Sequence, residues 1–81
     1  MKERVLKISL LEAIDLFESR KWKFFEVDEL DRMIRVEVPR GENETYIVEW
    51  PYLDDEMKEK YIQALKKAGF IEQEIRYRAG P

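Results

Sequence analysis

The stretch IRVEVPRGENETYIVEW, residues 34–50, decides the fold. Ile34, Val36 and Val38 alternate with Arg35 and Glu37; beyond a loop from Pro39 to Glu44, Tyr46, Val48 and Trp50 alternate with Ile47 and Glu49. Successive side chains of a strand point to opposite faces, so each run carries one apolar face. Two such runs joined by a short loop containing Gly41 predict an antiparallel hairpin.

Working outward, the aromatic run from Trp22 to Val27 predicts a strand with Phe24 and Phe25 on opposite faces, and Asp28 to Arg32 predicts a turn. On the other side Pro51 ends the hairpin, and a helix begins at Asp54 or Asp55. Met57, Tyr61, Ala64, Leu65 and Ala68 form one helical stripe. Asp54, Asp55 and Glu56 suit the positive end of its dipole, Lys66 and Lys67 suit the negative end, and Gly69 suits a left-handed cap. Ile71, Gln73, Ile75 and Tyr77 then alternate with Glu72, Glu74 and Arg76, which predicts a last strand with one apolar face. Near the start, Ser9 and Glu12 have capping-box spacing, and Leu10, Ala13, Ile14 and Phe17 share one face of a helix from Leu10 to Lys21. Val5, Leu6 and Ile8 ahead of it form either a short strand, which the cap at Ser9 favours, or a backward extension of the helix.

These elements make one α+β domain over residues 1–78, with residues 79–81 as a disordered tail. The expected architecture is a single antiparallel sheet of three to five strands with two helices packed on one face, in the order (β)αβββαβ. With Val5 to Ile8 as a strand and residues 22–27 as a connection, the order reduces to the ferredoxin-like βαββαβ. With residues 22–27 as a strand, the middle reads αβββα. Neither order comes with signature residues of a functional group.

Composition narrows the chemistry. The chain has no histidine and no cysteine, so it lacks the side chains that usually titrate near neutrality, serve as thiolate nucleophiles or ligate zinc. A chain of 81 residues has one thin core, and without disulfides its support must come from packing, ion pairs or self-association. Charged residues make up 41% of it and amides are scarce, the pattern of proteins that work hot. Its apolar runs are only a few residues long, which leads to the expectation of a soluble, cytoplasmic protein.

The acidic clusters Asp28, Glu29, Asp31 and Asp54, Asp55, Glu56 lack the calcium-loop pattern, and Gly41, Gly69 and Gly80 are too scattered for a phosphate cradle. No catalytic group, metal or cofactor is expected. Net charge is −3, so no overall basic field favours nucleic acid, although Lys58, Lys60, Lys66 and Lys67 offer an alternative nucleic-acid surface on the second helix. Between Arg40 and Lys58 there is no Lys or Arg, while Tyr46, Trp50 and Tyr52 are interleaved with carboxylates. That segment predicts a docking surface for a basic partner, built from Glu42, Glu44, Tyr52, Asp54, Asp55 and Glu56 with Tyr52 as an exposed anchor. The functional expectation is a small non-catalytic protein-interaction module, regulatory or accessory, or a small inhibitor with an acidic docking surface. A surplus of apolar residues that includes Trp22, Phe24, Phe25 and Tyr77 predicts in addition a homodimer through a sheet edge or an apolar sheet face.

Overall fold

A computed structural model describes residues 2–74. Within them the elements run β1 (Lys2–Val5), α1 (Leu10–Leu16), β2 (Phe24–Asp28), β3 (Met33–Arg40), β4 (Glu44–Pro51), α2 (Asp55–Lys67) and β5 (Ile71–Glu72). The expected hairpin is β3 and β4, with Ile34 opposite Trp50, Val36 opposite Val48 and Val38 opposite Tyr46. Its loop is Gly41 to Asn43, and Gly41 supplies the positive φ of 71° that the reversal requires. β2 extends the hairpin into an antiparallel meander, pairing Phe25 with Val36 and Val27 with Ile34. The turn between β2 and β3 is tied by Asp28, whose Oδ1 accepts from the backbone N–H groups of Leu30 and Asp31.

The edges differ from the antiparallel expectation. β1 lies parallel to β4 and β5 lies parallel to β2, so the five strands form a mixed sheet in the order β1-β4-β3-β2-β5. Each helix returns the chain from the end of one strand to the start of a parallel one, as such pairs require. The ferredoxin-like βαββαβ order is therefore overturned, because the segment expected at residues 22–27 is a true strand, Phe24–Asp28, and the middle of the chain reads αβββα. The first strand is shifted, however: β1 spans Lys2–Val5, while Leu6 and Ile8 pack against the core from the connection that follows. The last strand is described only as Ile71–Glu72; its expected continuation through Ile75 and Tyr77, and the tail 79–81, lie outside the described residues.

Both helices cover one face. Ala13 and Phe17 of the α1 region and Leu65 of α2 join Phe25, Ile34, Val36, Val38, Val48 and Trp50 in a single buried cluster. Trp50 also donates its indole N–H to the Ile8 carbonyl at 2.8 Å, fixing the entry to α1. Ser9 caps α1 as expected, accepting from the Glu12 N–H, but the helix stops at Leu16 instead of Lys21. Its last turn tightens, with the Glu18 and Arg20 N–H groups bonded to carbonyls three residues back. α2 begins at the Asp54 cap and ends in a Schellman motif, in which Phe70 N–H bonds Leu65 O and Gly69 N–H bonds Lys66 O. Gly69 holds φ at +91°, and buried Phe70 packs beside Leu65.

Lys23 joins the two helix ends. It is only 7% exposed, and its Nζ donates to Ala68 O at 2.9 Å and to Glu18 O at 3.4 Å. These carbonyls lie at or just beyond the C-termini of α2 and α1, where the helix dipoles leave partial negative charge. The Phe70 ring lies 5.2 Å from the same ammonium. Replacing Lys23 with Met keeps the stem and removes the donor, so urea unfolding should show a loss of about 2 kcal/mol. A loss below about 0.5 kcal/mol would show that these carbonyls find other partners on their own.

Candidate functional site

The acidic aromatic segment does not form one surface. Glu42 is in the loop that precedes β4, and Glu44 opens that strand and pairs with Arg4 at 3.2 Å. Asp54, Asp55 and Glu56 follow the far end of the same eight-residue strand. At about 3.4 Å per residue, more than 20 Å of strand separates the two groups. From the second group the structure brings Asp54 and Asp55 together with Tyr52 around a depression of about 410 Å³ lined also by Glu29, Arg32, Leu53 and Lys58, and Glu56 lies outside that lining.

Tyr52 is not the exposed anchor that its position between strand and helix suggested. Its N–H bonds Arg32 O at 3.0 Å, holding the chain against the neighbouring turn, and its side chain belongs to the core with 6% exposure. Lys58 Nζ lies over its ring at 5.8 Å. The neighbouring Leu53 is the residue left outside, at 78%.

The carboxylates of this end already have structural roles. Asp54 Oδ1 accepts from Met57 N–H at 2.8 Å, and Asp55 and Glu29 each lie 3.5 Å from Lys58 Nζ. Desolvation acts to lower the pKa of Lys58, but the nearby Asp55, Glu29 and Tyr52 outweigh it and hold the ammonium above its usual value. Such pairing favours fixed charges, whereas proton transfer needs a group poised near the working pH. Among the described residues no three of Asp and Glu converge to hold a metal ion. Lysines of α2 are similarly engaged: Lys60 lies 3.6 Å from Glu56, and Lys66 lies 3.4 Å from Glu72.

The opposite face of the sheet presents a different surface, and among the described residues no element covers it. Its central row is Glu26, Arg35 and Glu49, one residue from each strand of the meander. Arg35 donates to Glu26 at 2.6 Å and to Glu49 at 2.9 Å, and Glu26 is 6% exposed. Partial burial opposes the guanidinium charge, yet the bonds and charges of Glu49 and Glu26 prevail and raise its pKa above an already high usual value. A raised pKa in a base contributes stability below its unfolded value, so this ion pair is insensitive to pH on the guanidinium side throughout the ordinary range.

The next row across this face is more apolar. Val5 pairs with Ile47, Ile47 with Glu37, Glu37 with Phe24, and Phe24 with Ile71. Trp22 stacks on Phe24 with centroids 6.4 Å apart and planes 10° from parallel, and it remains 55% exposed. Glu37 accepts from the Gln73 side-chain amide at 3.2 Å. The alternation of Phe24 and Phe25 was readable in the sequence, but the facing of β5 was not. Because Ile71 sits opposite Phe24, the apolar side of β5 turns to the uncovered face, while Glu72 turns toward the helices and Lys66.

Comparison with known proteins yields no matching family model, and no curated protein or solved structure with detectable similarity to this chain.

Two variants test this layout. Tyr52→Ala should cost about 3 kcal/mol in unfolding free energy, the loss expected for a buried ring and not for a surface anchor; an unchanged melting curve would put Tyr52 back on the surface. Arg35→Met leaves Glu26 without its counterion and should cost about 3 kcal/mol, while adding Glu26→Gln should restore at least about 1 kcal/mol of that. Strictly additive effects in this double-mutant cycle would mean that the two groups do not interact.

Proposed function

We propose that the chain is a small non-catalytic protein-interaction module, regulatory or accessory in role, and that it binds its partner across the uncovered sheet face. One observation carries this reading: both helices pack on the same side, and the other side of a five-stranded sheet keeps Val5, Trp22 and Ile71 substantially exposed, with Trp22 stacked on Phe24. Aromatic residues grouped on an open face are the common anchors of protein interfaces. The acidic residues expected to dock a partner are divided between the two ends of β4, which weakens them as a single docking surface.

Self-association is the less favoured form of this reading. A two-fold antiparallel pairing of β1 edges centred on Glu3 would place Glu3 against Glu3 and Lys2 against Arg4, and like charges directly opposed destabilise a pair. Charged side chains on a short edge strand are a common means of discouraging such pairing. Nucleic-acid binding through the second helix is the alternative, and the ion pairs at Lys58, Lys60 and Lys66 weigh against it.

A photoreactive residue in place of Trp22 should crosslink a protein in cells that express the chain, while the same residue in place of Gln63 on α2 should not. Crosslinks to nucleic acid at Gln63, with none to protein at Trp22, would favour the alternative and sink the docking reading.

A further inference from the structure

We infer that the uncovered face takes an arginine-bearing apolar segment of a partner protein, with a guanidinium seated on Trp22 and paired to Glu37. This rests on the docking reading and names the chemistry of the partner. The first support is charge. Among the described strand residues, alternation places Glu3, Glu26, Asp28, Glu37 and Glu49 on this face with Arg35 as the cation, and Lys7 just past β1 and Lys21 beside Trp22 add two more positive charges, so the carboxylates remain in excess. Arg35 lies between two of those carboxylates, and the partner that the structure gives Glu37 is a neutral amide. An acidic face complements a basic partner and would repel both a polyanion and a second copy of itself.

The second support is the aromatic pair. Among the described residues Trp22 has one ring neighbour in Phe24, and Lys21 Nζ lies 5.5 Å from the centroid of the same indole. The ring thus already serves as a cation platform, and an incoming guanidinium would take the place of the flexible Lys21 ammonium. Arginine suits this position better than lysine, because its flat guanidinium stacks on an indole while its fork of N–H groups meets a carboxylate. Glu37 is the carboxylate in reach, since it lies directly across from Phe24 in the β2–β3 ladder. Ile71 on one side of Phe24 and Ile47 with Val5 beyond Glu37 offer apolar contact to the residues that flank the arginine.

The test uses the full chain and a fluorophore-labelled peptide alternating arginine with leucine, followed by anisotropy, with the same peptide carrying glutamate in place of arginine as the control. Binding of the arginine peptide alone, weakening as salt is raised, is expected. Trp22→Ala and Glu37→Gln should each raise its Kd at least tenfold with melting temperature unchanged, and Lys67→Ala should leave it unaltered. Equal binding of the glutamate peptide overturns the inference, as does a Kd within twofold of wild type for both Trp22→Ala and Glu37→Gln. So does displacement of the arginine peptide by a second copy of the chain, read as salt-insensitive dimerisation in light scattering. A protein captured in cells through position 22 whose crosslinked segment lacks basic residues overturns this inference while leaving the docking reading intact.

Discussion

Everything in this fold converges on one ammonium group. A sheet in which both helices serve as crossovers places both helix C-termini at the same end, where their unsatisfied carbonyls and dipoles concentrate negative charge. Lys23 occupies that place, reaching Glu18 O on one side and Ala68 O on the other, with the Phe70 ring beside it. A buried lysine is costly unless its donors are engaged, and here the engagement joins α1, α2 and the approach to β2. The Ile71 N–H bonds Lys23 O at 2.9 Å, so the same residue anchors β5 through its backbone. Gly69 belongs to this arrangement: its positive φ turns the chain out of α2 so that Ala68 O is open to the ammonium.

The parts legible in the sequence were those whose pattern is local. The β3–β4 hairpin shows itself through two alternating runs and a loop with Gly41, and α2 through Asp54, the stripe from Met57 to Ala68 and Gly69. Residues whose placement depends on distant partners were not legible. β1 is exposed along its whole length, so Lys2 to Val5 has no apolar alternation to betray it. Leu6 and Ile8 do, but they owe their burial to the connection beside Trp50, and this drew the expected strand several residues too far along. Parallel pairing leaves no signature in residue order at all, because its register is set by where a helix returns the chain.

The candidate surface shows the same division between local and distant information. Carboxylates and aromatics adjacent in sequence from Glu42 to Glu56 suggested one patch, yet a strand carries its two ends apart. Tyr52 went inward because a single backbone bond to Arg32 O holds it against the β2–β3 turn. In contrast, Phe24, Glu37 and Ile71 are remote in sequence and become neighbours only through strand pairing, and Trp22 joins them by stacking on Phe24. The one available hint was Phe24 beside Phe25, since two large aromatics in a row on a strand oblige one of them to face away from the core.

Strand order also implies an order of assembly. The meander of β2, β3 and β4 joins segments that follow one another along the chain, and short loops close quickly. β1 reaches β4 only across some forty intervening residues, with Lys2 paired to Glu44, and β5 meets β2 across a similar span, with Ile71 paired to Phe24. Long closures are slow and come late in folding, and the outermost strands are the first to open again in the native state. Slow amide exchange therefore belongs to the three middle strands. The rim, where Ile71 flanks the aromatic pair, is by the same reasoning where opening is expected to begin, so the surface proposed to receive a partner is partly framed by the outermost described strands.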